Sequence, residues 1–233
     1  RVTYTGSAST DPIDLTPKTT PQRDLRLSLS AFHGKQDPKA VATVWPYLNH
    51  SDRFIRAAAR TALEHQPLAE WQDKALAETD ATRQLEALLA LTRITGVCPT
   101  HREEGATVNT EMRDLLLSTM LKHDFAKLTK EQRLAHVRIL QIVLNRFGNP
   151  DEATIAAIIS QLDPSFPADS FELNWLLCET LAYLQAPAIA AKGMALIAAA
   201  ESQEPQIEYA RSLRHLKVGW TKELRTQQLE WFL

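Results

Sequence analysis

The sequence predicts an all-α protein: an α-solenoid of HEAT-like antiparallel helix pairs, about five pairs plus a terminal helix, preceded by a short extended segment. Three observations carry this reading. Apolar residues recur at helical spacing from Arg23 to the end, with alanine and leucine dominant. Glycine is scarce, at 7 in 233 residues, and Val/Ile/Thr alternation is nearly absent after the first few positions. The helical segments fall into consecutive pairs whose second members share one pattern.

The extended segment comes first. In RVTYTG, Arg1 to Gly6, Val2 and Tyr4 alternate with Thr3 and Thr5 as in a strand. One isolated strand is not stable, so its sheet is expected elsewhere. SASTDPIDLTPKTTPQ then reads as an extended linker rich in Ser, Thr, Asp and Pro. The division expected is therefore 1–22 for the extended segment and linker and 23–233 for the helical repeat domain.

The pairs follow in order. DPKAVATVWPYLN precedes SDRFIRAAARTALEH, and PLAEWQDKALAET precedes DATRQLEALLALTRIT. A loop near Gly96 to Asn109 comes next, broken by Pro99 and Gly105. NTEMRDLLLSTMLKHD then precedes LTKEQRLAHVRILQIVLNRFG, and NPDEATIAAIISQLD precedes DSFELNWLLCETLAYLQ. PAIAAKGMALIAAAES precedes EPQIEYARSLRHLKVG, and WTKELRTQQLEWFL is last. Proline after Asp37, Asn149 and Glu204 lies at or near a first turn, where its missing donor costs nothing. Thr129 and Gln132 match a capping box. Gly96, Gly148 and Gly219 mark stops.

The second helices SDRFIRAAARTALEH, DATRQLEALLALTRITG and EPQIEYARSLRHLKVG each open on an acidic or capping residue. Each places Ala or Leu at helical spacing and an arginine on the shoulder. In the first, Ala58, Ala59 and Ala62 are small enough to let neighbouring helices approach closely. Successive units lie roughly 30 to 50 residues apart, within reach of the 40–47 typical of HEAT and armadillo repeats. A single pair leaves an apolar face uncovered, and stacking supplies the partner. A closed bundle is the competing architecture, but its helices are more often long and evenly heptad-patterned.

Composition narrows the function. A net charge of −2 gives no general attraction to nucleic acid or anionic lipid. No apolar run approaches the roughly 20 residues of a membrane span. Two cysteines make no disulfide framework; Cys178 reads as a buried free thiol and Cys98 as a loop residue. The chain begins with arginine and its last helix looks cut off, so a piece of a longer protein is expected. Five tryptophans fall among leucines and read as packing. If Trp175 is core, Trp175→Ala costs on the order of 3–5 kcal/mol.

Seven histidines (His33, His50, His65, His101, His123, His136, His215) are scattered without HxxxH or HExxH spacing and read as surface or half-buried. Ser30, Ser51 and Ser118 lack a GxSxG context, and there is no Gly-rich phosphate loop or CxxCH. Asp151-Glu152 reads as a helix N-terminus favoured by the macrodipole, and Glu103-Glu104 as a solvated loop. Basic residues gather at Arg211, Arg214, His215, Lys217 and Lys222, and again at Lys122, Lys127, Lys130 and Arg133. Acidic residues interleave, and no basic excess exists overall. No catalytic, cofactor-binding or metal site is nominated in this chain.

The C-terminal half carries a more specific signal. RFGNPDEATIAAIISQLDPSFPADSFELNWLLCETLAYLQAP (Arg146 to Pro187) and EPQIEYARSLRHLKVGWTKELRTQQLEWF (Glu204 to Phe232) resemble the helical-repeat segment of large secreted haem proteins of planctomycetes and related bacteria. The resemblance is strongest from about Leu128 onward, and its motifs are structural rather than catalytic. In that family the segment lies between a β-propeller similar to soluble sugar dehydrogenases and a cytochrome c domain. RVTYTG looks like the propeller's last strand. The resemblance implies export to the periplasm or beyond, haem c in a flanking domain, and electron transfer by the whole protein. No haem ligand or dehydrogenase residue carries over, because none of their motifs is in this chain.

The expected function is thus a non-catalytic module that links and positions redox domains. Its partners would be the flanking propeller and cytochrome c domains or another protein, without nucleic acid or membrane insertion. The alternatives are a stand-alone HEAT-like scaffold and a HEAT-fold enzyme acting on nucleic acid or a chromophore.

Overall fold

Polar caps fix where the helices begin. In the computed structural model, which describes residues 2–16 and 18–233, the helices run from Pro21 to Glu230. They are α1 (Pro21–Ser30), α2 (Ala40–Val44), α3 (Arg53–Glu64), α4 (Gln72–Ala77), α5 (Ala81–Thr95) and α6 (Thr110–Met120). Then come α7 (Lys130–Phe147), α8 (Glu152–Leu162), α9 (Phe171–Tyr183), α10 (Ile189–Ala199), α11 (Gln203–Leu213) and α12 (Lys222–Glu230). Asp52, Asp80, Asn109 and Asp151 each accept a first-turn backbone N–H from their side chains. Such a cap contributes about 1 kcal/mol. The capping box between Thr129 and Gln132 forms in full.

The fold is the all-α solenoid arrangement expected from the sequence. The five sequence pairs are α2/α3, α4/α5, α6/α7, α8/α9 and α10/α11, and each pair packs together. The odd-numbered helices from α1 to α11 also stack on one another in order, making one continuous layer. The even-numbered helices from α2 to α10 lie against this stack as the second layer, and α12 packs on α10. Short apolar and alanine side chains close the joints. Ala58, Ala59 and Ala62 are buried in α3, which packs on α1, α2 and α5. Gly193 in α10 lies so close to α11 that an added Cβ would stand 3.0 Å from the Leu213 side chain.

Three local features differ from the sequence reading. A further helix, α1, capped by Thr20 with Pro21 in its first turn, packs on α3 and opens the stack. The segment from Asp37 to Asn49 is not one helix. Pro46 cannot donate to a continuing ladder, so α2 ends at Val44 and Trp45–Tyr47 tightens into a 3₁₀ turn. Likewise Leu68–Glu70 is a 3₁₀ turn ahead of α4.

Trp45 and Trp71 are core residues, whereas Trp175 is half-buried with its indole stacked on Phe171. The full cavity cost anticipated for Trp175 therefore belongs to Trp71, which is 1% exposed.

Residues 2–5 are exposed and take no regular structure, with no strand to pair with among the described residues. Arg1 and Pro17, which the sequence reading places in the extended segment and linker, lie outside the described residues. Cys98 and Cys178 are both free thiols. Burial pushes the Cys178 thiol up to about 12. Among the described residues no helix is long and apolar enough to cross a membrane.

Candidate interaction groove

The shoulder arginines of the second helices find their partners across the stacked layer. Arg56 and Arg60 of α3 reach Glu86 of α5, at 3.2 and 2.6 Å, and Arg93 of α5 returns to Glu64 of α3 at 2.8 Å. At the next joint, Gln132 of α7 donates to the Thr82 hydroxyl of α5. Arg146 of α7 donates to the carbonyls of Arg93 and Gly96, at 2.9 and 2.6 Å. Gln141 of α7 donates to Glu179 and Thr180 of α9, both at 3.0 Å. Arg211 of α11 lies 3.9 Å from Glu179. Every joint from α3 to α11 thus carries polar bonds on the same side of the layer.

That side is also where the cavities lie. One of about 660 Å³ crosses α3, α5 and α7. A second, of about 530 Å³, lies between α7, α9 and the end of α5. A third, of about 200 Å³, lies between α9 and α11. Arg138 and Ile142 line both the first and the second, while Glu179 and Tyr183 line both the second and the third. The three are segments of one groove across five stacked helices. Helix axes pack about 8–10 Å apart, so the groove runs for roughly 35 Å. Leu85, Leu89, Ile139 and Ile142 supply its apolar floor.

The charges of the groove are arginines and glutamates. Arg53, Arg56, Arg93, Arg138 and Arg146 line its first two segments, and Arg211 and Arg214 the third. Against them stand Glu86, Glu131 and Glu179. Cys98 sits at the edge of the middle segment. The Thr100 backbone N–H, then the His101 ring and the Thr100 hydroxyl, hold its thiol down to about 7.

The sequence reading nominates no site residue, and the groove is a feature of the stack that no linear motif marks. Of the two basic clusters, Arg211, Arg214 and His215 face the groove. In the other cluster Lys127 pairs with Asp124, Lys130 with Glu172 of α9, and Arg133 donates to the carbonyls of Leu128 and Ala126. The scattered histidines partly converge. His33 lies beside His65, and His123 beside His136, with ring centroids 6.2 and 5.4 Å apart. His136 is fully buried, against the surface or half-buried placement expected for the histidines. Among the described residues no three His, Cys, Asp or Glu side chains gather as a metal-binding group.

Comparison of the chain with protein-family models, curated proteins and solved structures finds no match.

Proposed function

We propose that this chain is a non-catalytic interaction module that holds other domains or proteins along one face of its helix stack. The observation that carries the reading is the continuous groove across α3, α5, α7, α9 and α11. Solenoids bind through such extended surfaces because each repeat adds one increment of the same face. The polar joints favour this use, since they hold the layer rigid and lower the ordering cost of docking.

In this reading the module belongs to a larger secreted or periplasmic haem protein. Its neighbours are a propeller and a cytochrome c domain, and its task is to position them for electron transfer. The resemblance of Arg146–Pro187 and Glu204–Phe232 to the repeat segment of such proteins supports that context. The test is the intact mass and visible spectrum of the native protein from its own organism. The reading predicts a mass well above 26.2 kDa and a c-type haem Soret band. A mass equal to this chain, with no visible absorbance, would rule out the haem-protein context and leave a stand-alone scaffold.

A further inference from the structure

We infer that the groove takes an extended acidic segment of a partner protein. This rests on the docking reading above and names the chemistry of its occupant. The groove's charge runs against that of the chain. The whole protein has a net charge of −2, yet among the described residues the lining holds seven arginines and three glutamates, with no lysine or aspartate.

Not all of those arginines are neutralised internally. Arg56, Arg93 and Arg211 have carboxylate partners. Arg53, Arg138, Arg146 and Arg214 have none within 4 Å among the described residues. Among the described residues Arg138 donates to the Gln141 side chain alone, and Arg53 lies over the Phe54 ring. Arg146 is spent on backbone carbonyls and Arg214 on the His215 ring. These guanidinium groups are spread along the groove from α3 to α11.

The guanidinium fork matches a carboxylate in two parallel hydrogen bonds, which an ammonium does not. The Leu89 and Ile142 side chains between the charges suit apolar residues alternating with acidic ones. At about 3.3 Å per extended residue, a groove of roughly 35 Å accommodates about ten residues. Nucleic acid fits less well, because among the described residues the lining holds no Trp or Phe, and Tyr183 with the rings of His50 and His215 is all it offers a base to stack on.

The test uses a fluorescein-labelled twelve-residue peptide in which Glu alternates with Leu and Ser, titrated with the 233-residue chain and read by anisotropy. Saturable binding is expected at about 50 mM salt, weakened roughly tenfold at about 300 mM. Arg53→Glu with Arg138→Glu should weaken it at least ~10-fold, because the reversal repels the acidic segment. Lys39→Glu with Lys122→Glu, away from the lining, should change it less than ~2-fold. Circular dichroism melts check that each variant folds. If the double reversal does not, Asn145→Asp places one negative charge at an exposed lining position and should weaken binding in the same direction.

Absence of saturable binding by the folded protein would overturn the inference, as would undiminished binding by the folded double reversal. Displacement of the peptide by a twelve-nucleotide oligothymidylate at lower concentration would assign the groove to nucleic acid instead. If a neutral or basic peptide binds in the groove and the acidic one does not, the docking face stands and the acidic occupant falls.

Discussion

His136 shows how much one buried side chain contributes to the pH response of the stack. It is 1% exposed, with Nε2 3.2 Å from the Met120 carbonyl and its ring against Phe125 and His123. Burial lowers its pKa to about 4, while the Met120 carbonyl opposes the shift and the neighbouring His123 adds to it. The unfolded chain protonates this histidine near 6.5, so between pH 6.5 and 4 the unfolded state binds more protons. Its contribution is fully present above about 6.5 and declines as pH falls to about 4, by on the order of 3 kcal/mol. His136→Gln keeps a neutral donor and removes the titration. Its melting temperature should fall less steeply than the wild type's between pH 6.5 and 4. Parallel curves would contradict this account. Nothing in the spacing of His123 and His136 along the chain announces their contact, which the turn between α6 and α7 creates.

At the scale of elements, the joints between stacked helices decide rigidity. The Arg60–Glu86 pair joins α3 to α5 at 2.6 Å with both side chains about four-fifths buried. A double-mutant cycle with Arg60→Gln and Glu86→Gln, read by urea unfolding, should give a coupling of about 1 kcal/mol. The Lys127–Asp124 pair is far more exposed, and its cycle should give a coupling near zero. Equal couplings would refute the distinction.

The loop between α11 and α12 depends on close approach. Gly219 has φ of 73°, and a Cβ there would stand 2.0 Å from the Pro187 carbonyl oxygen. Gly219→Ala should cost about 2 kcal/mol or more. Gly105 has φ of 79° but open space around it, so Gly105→Ala should cost roughly 1 kcal/mol. The shoulder arginines were visible in the sequence because the second helices repeat one theme. Their partners were not, because Glu86 and Glu64 become neighbours only when α5 stacks on α3. Pro46 was readable as a residue, but its effect of cutting α2 to five residues shows only in the fold.

At the scale of the molecule, the pairing and order of the helices were legible because caps, prolines and alanine stripes all agreed. The groove was not legible, because its lining comes from five helices that no local pattern brings together. It is also what the functional reading stands on: one layer of the solenoid docks a partner, and the other layer supports it. The direct measurement is site-specific photo-crosslinking in the native organism. A photoreactive residue at Asn145, exposed in the middle of the groove, is compared with one at Leu115 on α6 of the other layer. The account predicts a discrete adduct from position 145, mapped by mass spectrometry to a partner protein or a flanking domain, and none from 115. Adducts from 115 alone, or from neither position in folded protein, would contradict it.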